Sequence, residues 1–179
     1  MSDFSTFGLG PSVQRGIAAA GFVEPRPIQT ETIPAALEGR DILGLAQTGT
    51  GKTAAFALPI LERLLATRLP ETRHSGPRVL IVAPTRELAS QISEEIRTLA
   101  TFTRIRVATV FGGVSAHRQI LALREKPEIV VACRGRLLDL MQQQVVRLDR
   151  VETLVLDEAD HMFDMGFLPD IRRILAALP

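Results

Sequence analysis

Residues 151–160 read VETLVLDEAD, a short apolar run that ends in three carboxylates within four positions. Leu and Val follow one another directly in this run, so a strand formed here would be apolar on both faces. Strands of that kind are typical of parallel sheets covered by helices. The carboxylates of Asp157, Glu158 and Asp160 repel one another at this spacing. The rest of the sequence has to explain why they are placed together.

Other short apolar runs have the same character, and stretches with helical spacing separate them. In the stretch 86–100, Leu88, Ile92, Ile96 and Leu99 fall on one face of a helix. The alternation of strands and helices predicts an α/β fold with a parallel β-sheet flanked by helices. The remaining predicted strands are 78–83 (RVLIVA), 105–111 (IRVATVF), 128–132 (EIVVA) and a weaker 41–46 (DILGLA), and the shorter predicted helices are 114–125 and 135–143.

An unusual local sequence follows each predicted strand. In open parallel sheets, ligands bind at the carboxyl ends of the strands. All of these sequences are therefore expected at one edge of the sheet, which indicates a ligand site there. In chain order they are QTGTGKT, PTREL, Gly112-Gly113, CRGR and DEAD.

Composition is that of one ordinary globular domain. The chain has 179 residues, 46% of them hydrophobic, and a net charge of +1. A protein bound to nucleic acid by its overall field is usually more basic, so any such binding must come from local groups. The single cysteine permits no internal disulfide, and we see neither a signal peptide nor a membrane span. We expect a cytoplasmic protein with no membrane association.

Residues 46–53, AQTGTGKT, predict a phosphate-binding loop, although Ala46 stands where the usual pattern has Gly. Glycines let the backbone curl so that its N–H groups point at phosphate oxygens. Lys52 would reach the outer phosphates, and the Thr53 hydroxyl would bind Mg²⁺. The alternative is a Gly-rich turn that only joins a strand to a helix. The expected nucleotide-binding residues here are Gln47, Thr48, Gly49, Thr50, Gly51, Lys52 and Thr53.

A nucleotide with its Mg²⁺ at this loop explains the carboxylates at 157–160. Asp157 would hold Mg²⁺ through its waters, and Glu158 would orient or deprotonate the attacking water. We therefore predict Lys52, Asp157 and Glu158 as catalytic residues, and Thr53 and Asp157 as metal ligands. The alternative for the carboxylates is a helix N-terminus that carries acidic residues.

Taken together, the motifs resemble the first motor domain of a DEAD-box ATP-dependent RNA helicase of the bacterial type. The resemblance runs from Phe4 to the end of the chain. It rests on five motifs: GFVEPRPIQ (21–29), AQTGTGKT (46–53), PTREL (84–88), Gly112-Gly113 and DEADHMFDMGF (157–167). It implies a RecA-like fold, ATP and Mg²⁺ as cofactors, RNA as partner, and RNA unwinding or ribonucleoprotein remodelling as the activity.

The resemblance also implies an adenine-reading segment at 21–29. Phe22 would stack on the base, and the amide of Gln29 would both donate to and accept from the edge of adenine. Without the family, Phe22 is interpreted as a core aromatic and Gln29 as a helix surface residue. Phe4 matches an isolated upstream aromatic of the family, and packing on the following helix explains it equally well.

The resemblance further implies an RNA-contacting surface that binds the backbone without reading sequence. Arg86 has an alternative role in an ion pair with an acid of its own helix. The chain departs from the family where Cys133-Arg134 replaces a Thr-Pro pair. A phosphate-binding hydroxyl is thereby lost and a cation gained. The expected RNA-binding residues are Pro84, Thr85, Arg86, Gly112, Gly113, Arg134, Gly135 and Arg136.

Two other functions compete with the helicase. One is a half-motor that binds ATP and RNA but does not unwind, and the other is a P-loop ATPase acting on DNA or protein. The resemblance places residues 1–179 in an N-terminal RecA-like domain that stops before a Ser-Ala-Thr strand and a second RecA-like domain. We accordingly expect strands 41–46 and 151–156 to lack neighbours, and to lie apart or to pair directly.

Overall fold

The computed structural model describes residues 3–47, 49–67 and 76–179. The chain forms two compact units and passes between them at three points, one of which lies within a helix. The first unit comprises Met1–Arg68 and Glu94–Ile105, and the second comprises Leu69–Ser93 and Arg106–Pro179.

The first unit is helical. A short 3₁₀ helix, Phe4–Phe7, precedes helices α1 (Pro11–Ala19), α2 (Pro27–Leu37) and α3 (Lys52–Ala66). The second half of helix α4 (Arg86–Leu99) belongs to this unit as well. A Cβ atom at Gly16 would lie 1.9 Å from the Leu99 carbonyl oxygen, so only glycine allows this close contact.

The second unit contains a parallel four-stranded sheet with its helices. Its strands are β1 (Val79–Val82), β2 (Val107–Val110), β3 (Ile129–Ala132) and β4 (Thr153–Leu156), in the order β2-β3-β1-β4. Its remaining helices are α5 (Ala116–Arg124), α6 (Arg134–Gln142), α7 (Ala159–Asp164) and α8 (Leu168–Leu175). The predicted α/β class, parallel sheet and intervening helices are confirmed.

Position in the sheet determines how far each strand is buried. The central strands β1 and β3 are buried at every residue, as their continuous apolar runs predict. Strand β2 alternates between buried and half-buried residues, and β4 is half-buried throughout. Both of these strands lie at an edge of the described sheet, where fewer atoms cover them.

The predicted strand at 41–46 is wrong. These residues form no regular secondary structure, and the side chains of Leu43 and Leu45 are 89% and 88% exposed. An extended segment is stable as a strand only when a neighbour takes up its backbone N–H and C=O groups. The apolar run therefore does not make a strand by itself. Strand β4 pairs only with β1 in the described sheet, so it lacks a neighbour on its other side, as predicted for 151–156. Its predicted separation from 41–46, or direct pairing with it, is not observed, because 41–46 forms no strand.

Each unit has a buried apolar core. In the first unit it includes Val13, Ile17, Ile33, Leu58 and Leu61, and in the second it includes Leu80, Val130, Leu137, Leu140, Met162 and Ile171. No helix among the described residues is long and apolar enough to cross a membrane.

Candidate functional site

The predicted phosphate loop curls at two glycines in the first unit. Gly49 and Gly51 have backbone φ angles of 81° and 88°, which residues other than glycine rarely adopt. Gly51 directly precedes α3, so Lys52 is the first residue of that helix. The Thr50 hydroxyl donates to the Gln47 carbonyl oxygen at 2.6 Å. The loop thus leads into a helix N-terminus, an arrangement that favours phosphate binding. Thr48, which is also predicted to bind nucleotide, lies outside the described residues.

Gln29 lies beside this loop rather than on a helix surface. Its side chain is 1% exposed. Its Oε1 accepts from the Arg26 backbone N–H at 2.9 Å, and its Nε2 donates to the Gly51 carbonyl oxygen at 3.1 Å. A Cβ atom at Gly51 would come within 2.5 Å of Gln29 Nε2, so the glycine is needed for this contact too. The surface interpretation of Gln29 is wrong.

Phe22 is half-buried and packs against Phe4. Their ring centroids are 6.1 Å apart, and Phe4 itself is 5% exposed. Phe4 therefore supports Phe22 directly. Because Phe22 is only half-buried, part of it is accessible to a base. Stacking of Phe22 on adenine stays a prediction.

Two residues beside the loop were missed by sequence reasoning. The Arg26 guanidinium donates to the Gly49 carbonyl oxygen, and the Glu95 carboxyl interacts with the Thr53 side chain. Burial raises the pKa of Glu95, while Thr53 and Arg26 act in the opposite direction. Arg26 lies within the GFVEPRPIQ motif and could have been considered. Glu95 lies far along the chain on α4, and no local pattern marks it.

The carboxylates Asp157 and Glu158 lie at the carboxyl end of β4 in the second unit. The Asp157 N–H donates to the Val82 carbonyl oxygen at 3.0 Å, which extends the ladder between β1 and β4. Asp157 is 9% exposed, and its Oδ1 accepts from the Glu158 N–H at 3.1 Å. Glu158 has φ 53°, unusual for a residue with a side chain. Such strain is found mainly at functional sites.

The Glu158 carboxylate has one ionisable neighbour on its own helix. Its Oε2 lies 3.5 Å from Nδ1 of His161, and Asp160 is exposed to solvent. The three carboxylates of the motif thus face different surroundings, and only Asp157 is buried.

The predicted RNA-binding loops follow β1, β2 and β3 at the same sheet edge as Asp157. The strands end in register, because Val82 pairs with Ala132 and Leu156, and Val110 pairs with Ala132. The backbone N–H of Cys133 continues the pattern by donating to Val110 O at 2.8 Å. The sheet therefore brings PTREL, Gly112-Gly113, CRGR and DEAD, four of the five sequences predicted to follow strands, to one edge.

Two arginines of these loops form contacts within the protein. Arg136 Nη2 donates to the Val114 carbonyl oxygen at 3.1 Å. Arg86 forms an ion pair with Glu87 at 2.7 Å, the alternative considered above, but both side chains are more than half exposed. A pair so exposed contributes little stability, so it leaves Arg86 available to a phosphate.

The small residues of these loops differ in whether the local structure would accept a larger side chain. Gly113 has φ 79°, and a Cβ there would lie 3.2 Å from Arg86 Nη1. Gly112 and Gly135 face open space. The Thr85 hydroxyl accepts from the Leu88 N–H at 3.2 Å and so caps α4. Pro84 is half-buried just after β1.

The profile of the DEAD/DEAH box helicase family matches residues 26–179. The chain belongs to this family. Over its whole length it is 48% identical to the ATP-dependent RNA helicase CshA of Listeria monocytogenes. The DEAD-box ATP-dependent RNA helicases CshA of Bacillus anthracis and Geobacillus kaustophilus are 46% and 45% identical over the same 179 residues. The chain spans 33%, 33% and 37% of these three proteins, about a third of their length.

This DEAD/DEAH box domain carries an arginine that contacts a helix of its own unit. Arg134 forms an ion pair with Asp170, and its guanidinium carbon lies 3.6 Å from the ring centroid of Phe167. The cation gained at this position is thus already engaged within the second unit. That Arg134 contacts RNA stays a prediction.

Cys133, the other half of the substitution, is half-buried just before α6. The pKa of its thiol is raised to about 11, mainly by burial and also by Glu87, while Arg134 opposes the rise. The thiol is therefore a poor nucleophile at neutral pH.

We expect alkylation of Cys133 by iodoacetamide to be slow at neutral pH. Its rate should rise about tenfold per pH unit across the usual thiol range, since only the thiolate reacts. Because the chain has a single cysteine, mass spectrometry of the intact protein measures this rate directly. A rate that levels off near the ordinary thiol pKa of about 8.5 would contradict the assigned burial.

Proposed function

We propose that this chain is the nucleotide- and RNA-binding part of an ATP-dependent RNA helicase. It binds Mg²⁺-ATP and the RNA backbone, and together with a second RecA-like domain it couples hydrolysis to duplex unwinding or ribonucleoprotein remodelling. The observation that carries the proposal is the contact of Gln29 with the phosphate loop at Gly51. It connects a residue suited to adenine with residues suited to phosphates.

Adenine selection is assigned to the hydrogen-bonding groups of the Gln29 amide that its contacts within the protein do not use. An amide has two N–H donors and an oxygen with two lone pairs. The contacts to Gly51 and Arg26 use one of each, so one donor and one acceptor remain. This is the pair that adenine's N7 and N6 groups need. Because Gln29 is buried, a neighbouring side chain must move aside before the base can reach it.

Phosphate binding is assigned to residues 47–53. The N–H groups of the loop and the start of α3 favour an anion, and Lys52 adds a full positive charge. Phe22 is proposed to stack on the base. The Arg26 contact to Gly49 holds the curl of the loop.

The residues present fit a Mg²⁺ bound mainly by ATP. Mg²⁺ usually takes one or two protein oxygens and completes its shell with phosphates and waters. Within the described ranges, no group of three or more His, Cys, Asp or Glu could hold a metal alone. The Thr53 hydroxyl and the Asp157 carboxylate are proposed to hold it, and when bound it would neutralise charge on the outer phosphates.

Hydrolysis is assigned to Glu158. Its carboxylate accepts a proton from the attacking water and orients that water toward the terminal phosphate. Lys52 stabilises the negative charge that develops on the transferred phosphate. Glu158 has a left-handed backbone and lies at the junction between β4 and α7.

RNA binding is assigned to the loops at the sheet edge. Arg86, Arg136 and the Thr85 hydroxyl supply charge and hydrogen bonds to phosphates, and Gly112, Gly113 and Gly135 allow close approach. Together these residues supply no base-reading constellation, so recognition would use the backbone and 2′-OH groups. A cytoplasmic location is part of the proposal, in line with the single cysteine.

A second candidate function is a half-motor that holds ATP and RNA without unwinding. It follows from the same assignments, which concern ATP and RNA binding and name no residue for an unwinding step. Phosphate release measured with and without single-stranded RNA distinguishes the two. Stimulation by RNA supports the helicase, and equal rates support the half-motor.

The RNA assignment predicts a defined salt dependence. Arg136→Ala and Arg86→Ala should each reduce the slope of log affinity against log salt by roughly 0.7, the value for one phosphate contact in a single strand. Arg124→Ala, which removes an exposed cation from the last turn of α5, is the matched control. Fluorescence anisotropy with a labelled oligonucleotide measures the slopes. Slopes equal to that of the unmodified chain would remove these arginines from the RNA surface.

A further inference from the structure

The side chain of Arg134 connects the first turns of two helices in the second unit. Arg134 is the first residue of α6. Phe167 directly precedes α8, and Asp170 lies in the first turn of α8. The guanidinium lies over the Phe167 ring and pairs with the Asp170 carboxylate. A guanidinium is suited to this double contact because it is planar and carries several fixed donors.

The environment leaves this guanidinium little freedom. Only 32% of the Arg134 side chain and 26% of the Asp170 side chain are exposed, and Arg134 Nε is fully buried. An RNA phosphate would have to replace both Asp170 and the ring. Arg86 is different, because 58% of its side chain is exposed and its partner is equally accessible.

The contact of Arg134 with α8 affects the predicted RNA surface, because the next two residues in the chain belong to that surface. Gly135 and Arg136 follow it directly, and Arg136 reaches the Val114 carbonyl oxygen next to the Gly112-Gly113 pair. Any movement of the first turn of α6 would therefore move both residues. Asp170 itself has a second basic neighbour, since Arg173 Nη1 lies 3.8 Å away.

We propose that Arg134 is a positioning residue that fixes the start of α6 against α8, and that it does not contact RNA itself. The proposal rests on the RNA-binding function proposed above and assigns a different role to one of its predicted contacts. Through Arg134, Gly135 and Arg136 are held where the backbone of RNA can reach them. The cation that replaces proline in this chain thus acts within the protein.

Salt-dependent RNA binding separates positioning from direct contact. Arg134→Ala should make the binding-competent start of α6 less populated, while the same phosphate contacts still form once RNA is bound. It should therefore weaken single-stranded RNA binding by about the same factor at every salt concentration, with the slope unchanged. Arg136→Ala should lower the slope by roughly 0.7. Arg134→Lys keeps the charge but neither the stacking nor the fork of donors, so its affinity should resemble that of Arg134→Ala. A direct phosphate contact would instead give a reduced slope in the alanine variant and a normal one in the lysine variant.

Cys133 provides a second readout that needs no RNA. It directly precedes α6 and is the single cysteine of the chain, so alkylation of the intact protein reports the burial and ionisation of this one thiol. Asp170→Asn keeps the size of the side chain and leaves Arg134 in place, but it removes the ion pair. We expect the alkylation rate to rise several-fold, while Asp164→Asn, at an exposed acid at the end of α7, should leave it unchanged.

Each outcome decides the proposal. A reduced salt slope in Arg134→Ala overturns it, as does an RNA affinity unchanged at all salt concentrations, which would leave Arg134 a structural role only. Equal alkylation rates in Asp170→Asn and the unmodified chain overturn it as well. If the unmodified chain binds no RNA, the proposed function fails, and the alkylation rates still decide whether Asp170 and Arg134 hold the start of α6.

Discussion

Glu158→Gln is expected to leave Mg²⁺-ATP bound and to remove hydrolysis. Glutamine has nearly the same size and can still hydrogen-bond water, but it cannot take a proton from it. A positioned general base contributes roughly 10²–10⁴-fold to the rate. We therefore expect the rate of single-turnover hydrolysis, with protein in excess over ATP, to fall by at least about 100-fold. ATP affinity, measured by calorimetry on the same sample, should change little.

The matched control for this substitution is Glu125→Gln, at an exposed residue just after α5. It makes the same chemical change in the second unit, away from the carboxyl end of β4. It should hydrolyse ATP at the rate of the unmodified chain. Normal hydrolysis by the Glu158 variant would mean that another group activates the water.

Lys52→Ala is expected to weaken ATP binding by about 10- to 100-fold. A charge-assisted contact contributes about 1.5–3 kcal/mol, and each 1.4 kcal/mol is a factor of about ten in affinity. The loss should be larger for ATP than for AMP, because Lys52 is assigned to the outer phosphates. Isothermal titration with both nucleotides measures the difference.

Arg63→Ala serves as the control for Lys52, because it removes an exposed cation from the last turn of the same helix. Its effect on ATP affinity should be small, since the Debye length at physiological salt is about 8 Å. Equal losses for ATP and AMP in the Lys52 variant would place Lys52 away from the outer phosphates.

The sequence was sufficient to predict the sheet, because strands buried between helices need continuous apolar runs and four runs of this kind form β1 to β4. The edge at which the motifs meet was predicted for the same reason, since parallel strands all end on one side. The run 41–46 failed because a strand also needs a neighbour to pair with. Local sequence contains no information about that neighbour.

Individual side chains in the candidate site were harder to predict. Gln29 was interpreted from the residues alone as a surface residue, and only the fold brings Gly51 to its amide. Glu95 reaches Thr53 from a distant helix, and Arg134 finds Asp170 36 positions away. Such contacts depend on tertiary packing, which spacing along the chain does not reveal.

The central claim is that this domain selects adenine through Gln29 beside its phosphate loop. The affinities of the unmodified chain for Mg²⁺-ADP and Mg²⁺-GDP, measured side by side by calorimetry, test it most directly. We predict a preference for ADP of about tenfold or more, as two well-placed hydrogen bonds would give. Gln29→Ala should remove that preference while the affinity for GDP stays about the same. Equal affinities for ADP and GDP in the unmodified chain would contradict the account.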